Sequence, residues 1–132
     1  MNNIQRIFLF IGISFCGYAQ KTGINYQAVI LDPNPIAMPG NNYSGQPLAK
    51  SPVQIRFSLL NGTTLEYQET HLTQTDEYGL INLIIGKGIK LSTTTFDDIR
   101  WSDTLKTLQV EVKFSTSTTY TEISRNSLNY SP

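Results

Sequence analysis

The stretch from Val53 to Gly86 constrains the fold of this chain more than any other part of it. It opens with four apolar residues separated by polar ones, a two-residue period that is typical of a half-buried strand: Val53, Ile55, Phe57 and Leu59. Asn61-Gly62 follows and favours a type I′ hairpin turn, because both residue types tolerate a positive φ. Asp76 to Gly79 offers a second tight turn. The stretch therefore predicts three consecutive antiparallel strands.

Further strands are predicted on both sides of this stretch. The apolar residues of Ile24–Leu31 do not alternate cleanly, which predicts a strand covered on both faces or one that changes face near Gln27. Leu80–Ile85 is apolar on both faces, which favours a central position. Leu108–Phe114 alternates cleanly, and Tyr120–Ser124 is predicted as its hairpin partner. About six or seven short strands predict an all-β, antiparallel two-sheet β-sandwich of immunoglobulin-like or transthyretin-like kind.

Two segments between the strands lack a strand pattern. Asp32–Lys50 holds four prolines and two glycines, which predicts a long loop rather than a regular element. Because loops of this length in compact domains are usually functional or mobile, we expect this one to be a contact surface. Ser92–Asp103 predicts a short helical turn, with Phe96, Ile99 and Trp101 plugging an open end of the core.

The start of the chain has the features of a secretory signal peptide. Arg6 lies in a short polar start, and the apolar run Ile7–Phe15 is too short to span a bilayer as a helix. Gly17 and Ala19 supply small residues at the two positions that a signal peptidase reads. The pattern predicts cleavage between Ala19 and Gln20.

This cleavage divides the chain into residues 1–19, the signal peptide, and residues 20–132, a single β-sandwich domain. One alternative is that the start forms a buried first strand or helix. Another is a lipoprotein acylated at Cys16, although the bulky Phe15 fits lipoprotein signals poorly. Cleavage after Ala19 would leave a mature chain without cysteine, which is an exported protein held together by its core alone.

Charge and motif content exclude several classes of function. Without Arg6 the chain has nine basic side chains against ten acidic ones, so it offers no basic stripe for nucleic acid. No later apolar segment is long enough to cross a membrane, so no transmembrane segment is expected in the mature chain. Gly86-Lys87-Gly88 lacks the spacing of a phosphate-binding loop and is interpreted as a strand end with positive-φ glycines. No cofactor is predicted.

His71, the only histidine, is the first candidate for chemistry. It lies in a predicted strand and shares a face with Tyr67 and Glu69, so it could act as a general base or a metal ligand. A transition-metal site needs three or four ligands, however, and nucleophilic catalysis needs a base oriented by a third group. We therefore favour an exposed or half-buried strand histidine, and predict no catalytic and no metal-binding residue.

Asp97 and Asp98, with Asp103 nearby, form the densest acidic cluster. Such clusters can bind calcium, and paired carboxylates can hydrolyse glycosides. The cluster lacks the calcium-loop pattern, and adjacent aspartates on a small domain are unsuited to the glycosidase geometry. A solvated turn that caps a short helix is the favoured interpretation.

Five short motifs follow one another along the chain: Gly23–Asp32, Tyr67–Thr70, Gly79–Gly88, Ile99–Trp101 and Leu108–Val112. Their order and spacing resemble a recurring N-terminal β-domain of exported Bacteroidetes proteins. That domain usually heads a longer cell-surface or secreted protein and carries no accepted catalytic residues. Relatives continue past their last strand, whereas this chain stops at Pro132, so either the domain works alone or the chain is a fragment.

The resemblance and the aromatic residues supply the remaining candidate sites. Asp103-Thr104-Leu105 matches the O-glycosylation sequon that the resemblance implies, which makes Thr104 a candidate glycan site. Tyr43 in the long loop and Tyr78 in a turn are candidate contacts for a protein or glycan, because exposed aromatics stack on sugars and anchor partners. Trp101 is the third candidate, although its apolar neighbours favour a core plug.

The function expected from the sequence is non-catalytic. The chain is predicted to be an exported β-sandwich module, periplasmic, secreted or on the cell surface, with a structural or adhesive role and a protein or glycan surface as partner. The alternatives are a carbohydrate-binding accessory domain and a small hydrolase that uses His71 or the aspartates.

Overall fold

The computed structural model describes residues 10–12, 23–34, 36–38, 41–43, 45–101 and 105–128, with the backbone alone in 10–12, 36–38 and 41–43. These residues form ten strands and one 3₁₀ turn at Phe96–Asp98: β1 (Phe10–Gly12), β2 (Ile24–Val29), β3 (Ile36–Met38), β4 (Asn41–Tyr43), β5 (Pro52–Asn61), β6 (Thr64–Gln74), β7 (Leu80–Ile85), β8 (Ile89–Lys90), β9 (Lys106–Phe114) and β10 (Thr121–Leu128). Across these ranges no helix is long and apolar enough to cross a bilayer.

The strands form two main sheets and one ribbon. The larger sheet has the order β10-β9-β5-β6-β8, and the smaller has the order β1-β2-β7. β3 and β4 pair with each other as a separate two-stranded ribbon. Every pairing is antiparallel. The predicted all-β, antiparallel two-sheet sandwich is therefore confirmed.

The core lies between the inward faces of the two sheets. Alternate residues of β5 and β9 are buried, including Ile55, Phe57 and Val110, because a strand presents every second side chain to the same face. The smaller sheet contributes Tyr26 and Ile81, and the ring of Tyr26 lies edge-on to Phe57 at 5.0 Å. Burial of each large apolar side chain contributes about 1.5–3 kcal/mol.

The hairpin between β5 and β6 is confirmed, but its turn differs from the prediction. Asn61 pairs with Thr64, so the two central residues are Gly62 and Thr63 rather than Asn61 and Gly62. Among them only Gly62 has a positive φ, at 67°. One positive φ at the first central position is the requirement of a type II′ turn, whereas type I′ needs two. Gly62 is thus the first central residue of the turn and not, as predicted, the second.

The third strand predicted within Val53–Gly86, β7, does not belong to the same sheet as the β5–β6 hairpin. β7 pairs with β2, from Ile24 opposite Ile85 to Val29 opposite Leu80. The turn that redirects the chain is organised by Asp76, whose Oδ1 accepts bonds from the backbone N–H of Tyr78 at 2.8 Å and of Leu80 at 2.9 Å. β7 is an edge strand of the described sheet, so the predicted central position is wrong. The apolar residues on its second face stay partly exposed.

The side chains of β2 alternate between buried and more exposed positions more regularly than its sequence suggests. Ile24, Tyr26, Ala28 and Ile30 are all buried, so the strand does not change face near Gln27. The pattern looks irregular only because Val29 is an apolar residue on the outer face. On the side of β2 away from β7, the backbone of β1 pairs with Asn25–Gln27. β1 falls inside the predicted signal peptide, so the predicted cleavage would remove this pairing.

The segment predicted as a long loop contains the β3–β4 ribbon, in which Ile36 pairs with Tyr43. Its base is held by backbone hydrogen bonds from Asp32 N–H to Gln46 O at 2.6 Å and from Leu48 N–H to Ile30 O at 2.8 Å. The prediction of a loop without regular structure is therefore wrong. Prolines flank the ribbon strands without interrupting them, and that arrangement permits pairing.

The helical turn before β9 is confirmed. Phe96 and Ile99 are buried in the core, and Trp101 packs against the core while partly buried. Thr95 precedes the turn but makes no side-chain capping bond. The turn is thus held by its apolar side chains rather than by a cap.

Replacing Asp76 tests the redirecting turn. We expect Asp76→Ala to lower the free energy of unfolding by about 1–2 kcal/mol, because two backbone donors lose their acceptor. Asp76→Asn keeps an oxygen acceptor and should cost less than half as much. Urea unfolding of the three proteins measures both values, and equal losses in the two variants would contradict this account.

Candidate functional site

Three polar residues on β6 point between the sheets. Tyr67, Glu69 and His71 are two residues apart and therefore share one face, as the sequence predicted. Tyr67 is 2% exposed and Glu69 is 0% exposed, while the His71 side chain is 10% exposed. The face that carries them is the inward face of the larger sheet, so a carboxylate is buried inside the sandwich.

Both oxygens of Glu69 have partners. Oε1 accepts a bond from the Tyr67 hydroxyl at 2.5 Å, and Oε2 lies 2.5 Å from His71 Nε2. The backbone N–H of Gly86 donates to both oxygens, at 2.9 and 3.0 Å. An ionised carboxylate only accepts hydrogen bonds, so this arrangement requires a proton on His71 Nε2. We refer to Tyr67, Glu69, His71 and the Gly86 N–H as the Glu69 network.

The Glu69 network joins the two sheets. Glu69 belongs to β6 of the larger sheet, whereas Gly86 directly follows β7 of the smaller one. β6 and β7 are consecutive in sequence but lie in different sheets, so no ladder of backbone hydrogen bonds connects them. After Gly86 the chain returns to the larger sheet as β8, which pairs with β6 at Glu69 and Thr70. The buried carboxylate therefore holds the backbone where the chain crosses back between the sheets.

Two glycines make room for the network. Gly86 adopts a φ of 111°, which favours glycine, and a side chain there would lie 3.1 Å from the ring of Phe96. Gly88 does not have a positive φ; a Cβ at this position would lie 2.6 Å from His71 Nε2. The predicted role of positive-φ glycine is thus confirmed for Gly86 and wrong for Gly88, which is needed for close packing.

The network shifts the acidity of its members. Burial by itself raises the pKa of Glu69, but the hydrogen bonds from His71, Tyr67 and Gly86 outweigh burial and hold the pKa below its ordinary value. Burial and the bond to the Glu69 carboxylate both raise the pKa of Tyr67 well above its ordinary value. Glu69 is therefore ionised and Tyr67 is neutral near pH 7.

A cleft of about 270 Å³ lies beside the network. It is bordered by Tyr67, by the glycine-rich stretch from Gly86 to Gly88, and by the start of the 3₁₀ turn at Phe96 and Asp97. Lys90 also lines it, and its Nζ donates to the Thr93 carbonyl at 3.3 Å. The cleft is small for an organic ligand, because ligand pockets usually span about 300–1,000 Å³.

The chemistry open to the network is narrow. A carboxylate beside a histidine can orient a general base, but a base must reach the proton that it removes. Here the Nε2 of His71 faces Glu69, and its ring lies at 82° to that of Phe57, with 5.4 Å between the ring centroids. Its contacts are those of a structural hydrogen-bond network in which the partners satisfy one another.

The candidate contact aromatics differ in their surroundings. Tyr78 is 68% exposed in the turn between β6 and β7. Trp101 is partly buried, and its ring centroid lies 5.7 Å from that of Phe96, which fits the core plug that was favoured. The backbone of Tyr43 lies in β4, and its side chain is outside the described part of the structure. The structure does not bring these three aromatics into one described site.

Other predicted positions carry no described site. Thr104, Ala19 and Gln20 lie outside the described residues. Asp97 and Asp98 are exposed on the 3₁₀ turn. Within the described ranges no group of three or more histidine, cysteine, aspartate or glutamate side chains is placed to hold a metal ion.

Sequence reasoning missed an ion pair in which the lysine is buried. Lys106 opens β9 on its inward face with a side chain that is 1% exposed, and its Nζ lies 2.7 Å from Glu66 Oε1. A lysine is rarely buried without a partner, so the pair explains its position. The sequence does contain a signal for this position: the two-residue period of β9 places Lys106 on the same face as Leu108 and Val110.

Comparisons of the chain with protein-family models, with curated proteins and with solved structures return no match.

Two tyrosine variants test the Glu69 network. Tyr67→Phe removes a donor to a buried ionised carboxylate and should lower the free energy of unfolding by about 1.5–3 kcal/mol. Tyr26→Phe is the matched control, since Tyr26 is equally buried. Its hydroxyl and the neighbouring Ser124 hydroxyl both lack a partner at hydrogen-bond distance and angle among the described residues. Tyr26→Phe should leave stability unchanged or raise it by up to about 1 kcal/mol. Equal losses in chemical denaturation would contradict the network.

Acid titration tests the ionised state of Glu69. The pKa of Glu69 in the folded protein lies below its ordinary value of 4.5, so the unfolded chain takes up the proton first. The stability from the carboxylate is complete above pH 4.5 and is lost as the pH falls through the lower folded value.

We therefore expect the free energy of unfolding to fall more steeply below pH 4.5 in the wild type than in Glu69→Gln. Glu122→Gln serves as the control, because the pKa of Glu122 is also lowered but the group is exposed and bonded to Arg125. Its effect on the slope should be smaller, since exposed ion pairs contribute little. A slope in Glu69→Gln that equals the wild type would show that folding does not lower the pKa of Glu69.

Proposed function

We propose that this chain is an exported, non-catalytic β-sandwich module with a structural or adhesive role at the cell envelope or in secretions. The resemblance of its motifs to the N-terminal β-domain of exported Bacteroidetes proteins supports this assignment, as does the predicted signal peptide. The observation that carries the non-catalytic part is the environment of Glu69.

The chain has a single histidine, and Glu69 is the carboxylate that it pairs with among the described residues. Glu69 is 0% exposed and both of its oxygens are bonded within the fold. Acid–base chemistry requires a group that reaches its substrate and changes its protonation during the reaction. A carboxylate that joins two sheets would weaken the core each time it was protonated, so its surroundings favour a structural role.

The contact surface that we propose is the β3–β4 ribbon. Its backbone pairs only with itself among the described residues, and its base is held to β2 by the bonds at Ile30 and Asp32. A ribbon built in this way can change sequence without disturbing the ladders of the sandwich. Variable segments held by a rigid scaffold are the usual carriers of recognition.

Carbohydrate binding is the second candidate function. The exposed ring of Tyr78 supports it, because an accessible aromatic face can stack on a sugar ring. Trp101 is partly buried and packs against Phe96, which makes it less suited than Tyr78 to serve as a stacking platform. The hydrolase alternative required His71 to meet a carboxylate, and it does meet Glu69, but inside the core.

Cell fractionation combined with intact-mass measurement tests the proposal. We expect the recovered protein to begin at Gln20 and to be found outside the cytoplasm, because Ala19–Gln20 is the predicted cleavage site. A cytoplasmic species that retains residues 1–19 would overturn export. A membrane-bound species that begins at an acylated Cys16 would replace the predicted cleavage site by a lipid anchor.

Two variants added to the same experiment test whether the contact is made by the β3–β4 ribbon or by Tyr78. In one, residues 36–43 are replaced by a Gly-Ser linker of equal length; in the other, Tyr78 is replaced by Ala. We expect the linker variant to keep its thermal midpoint but to shift from the cell-bound fraction to the medium. A shift in Tyr78→Ala alone would favour carbohydrate binding, and unfolding of the linker variant would show that the ribbon is structural.

A further inference from the structure

We infer that the mature domain pairs with a second copy of this chain through the edge of β2, forming an antiparallel β2–β2 ladder about a two-fold axis. The inference rests on the proposed export, since it requires residues 1–19 to be removed. It names the kind of partner that the smaller sheet accepts.

The starting observation is the strand that occupies this edge in the uncleaved chain. β1 runs antiparallel to β2, with Phe10 opposite Gln27 and Gly12 opposite Asn25. Cleavage after Ala19 would remove β1. Among the described residues, β2 would then have β7 on one side and no strand on the other. The edge is therefore able to accept an antiparallel strand, and the described residues that follow the cleavage site leave it open.

The backbone groups that face this edge follow from the register. Ile30 N–H donates to Gly79 O, just beyond the pair of Val29 with Leu80, so Ile30 bonds on the β7 side. Successive residues of a strand direct their backbone groups to opposite sides. Asn25, Gln27 and Val29 therefore direct N–H and C=O toward the position of β1.

β2 lacks the features that protect edge strands. Its six residues, Ile24–Val29, include no charge and no proline. β8 is only two residues long and ends in a lysine, while β10 carries a charged pair and a bulge. The outer side of β7 is protected differently: Leu80 N–H donates to Asp76, and Ile84 O accepts from Lys87 N–H. The β2 edge is thus the long uncharged edge that cleavage would leave open.

A second copy of the chain can pair with the free backbone groups of this edge through a two-fold axis. A two-fold axis through Gln27 places that residue opposite its counterpart and sets Asn25 opposite Val29 of the second copy. The odd-numbered residues then exchange their N–H and C=O groups across the axis, as in any antiparallel pair. Because the strand is uncharged, no like charges face each other on the axis. The ladder would cover more of β2 than the three residues that β1 covers.

The test uses the exported protein after its mass has been measured. Sedimentation of the species beginning at Gln20 should show a dimer. Gln27→Pro removes the N–H that faces the free edge and leaves the bonds to β7 intact, so the fold should survive while the dimer dissociation constant rises at least about tenfold. Gln27→Ala keeps the N–H and should remain a dimer.

A charge pair makes the test independent of any folding defect. Gln27→Lys and Gln27→Glu each place like charges across the axis and should each weaken the dimer up to about fivefold. Mixing the two proteins should restore dimers that contain one copy of each, which neither a misfolded protein nor a different interface would do.

The outcomes separate the two proposals. A protein that begins at Gln20 and sediments as a monomer leaves export standing and overturns the β2 interface. A dimer that is insensitive to Gln27→Pro also overturns it, because another surface must then be used. Retention of residues 1–19 overturns both. A dimer lost in Gln27→Pro, kept in Gln27→Ala and restored by the Lys–Glu mixture establishes the interface.

Discussion

The arrangement of this sandwich depends on one buried carboxylate. Between β7 and β8 the chain returns from the smaller sheet to the larger one, and no backbone ladder joins the two sheets among the described strands. Glu69 links the two sides through the N–H of Gly86. Because a buried charge is tolerated only when it is paired and hydrogen-bonded, Tyr67, His71 and the glycine-rich stretch that follows β7 are tied to its position.

The value of such a carboxylate lies more in specificity than in raw stability. Burial of an ion pair costs desolvation that its attraction often only offsets, and apolar replacements of similar volume can be as stable. A slip of β6 by one residue, however, would turn Glu69 to the outer face and leave the Gly86 N–H without its acceptor. The network therefore penalises wrong registers of β6, which an apolar core alone would do less sharply.

The parts of the fold that were predictable from sequence are those governed by local periodicity. The alternation of Val53 to Leu59 and of Leu108 to Phe114 fixes strands whose inner face is decided by every second residue. The path of β7 was not predictable in the same way, since a short turn can precede either a hairpin or a change of sheet. Asp76 distinguishes the two only through bonds that appear once the chain is folded. The same limit applies to the Glu69 network. The spacing of Tyr67, Glu69 and His71 predicts a shared face. That this face is inward becomes visible only in the fold, where the backbone N–H of Gly86 donates to Glu69.

The division between core and edge strands is consistent with the proposed removal of residues 1–19. The described buried side chains that form the core lie between Ile24 and Leu128, so none of them belongs to residues 1–19. β1 contributes backbone pairing at an edge and no described core contact. Under the proposed export, loss of β1 would remove its backbone ladder with β2, whose hydrogen bonds water or another strand can replace. Cleavage at the predicted site would leave in the mature chain every strand that supplies a described core side chain, because those side chains lie between Ile24 and Leu128.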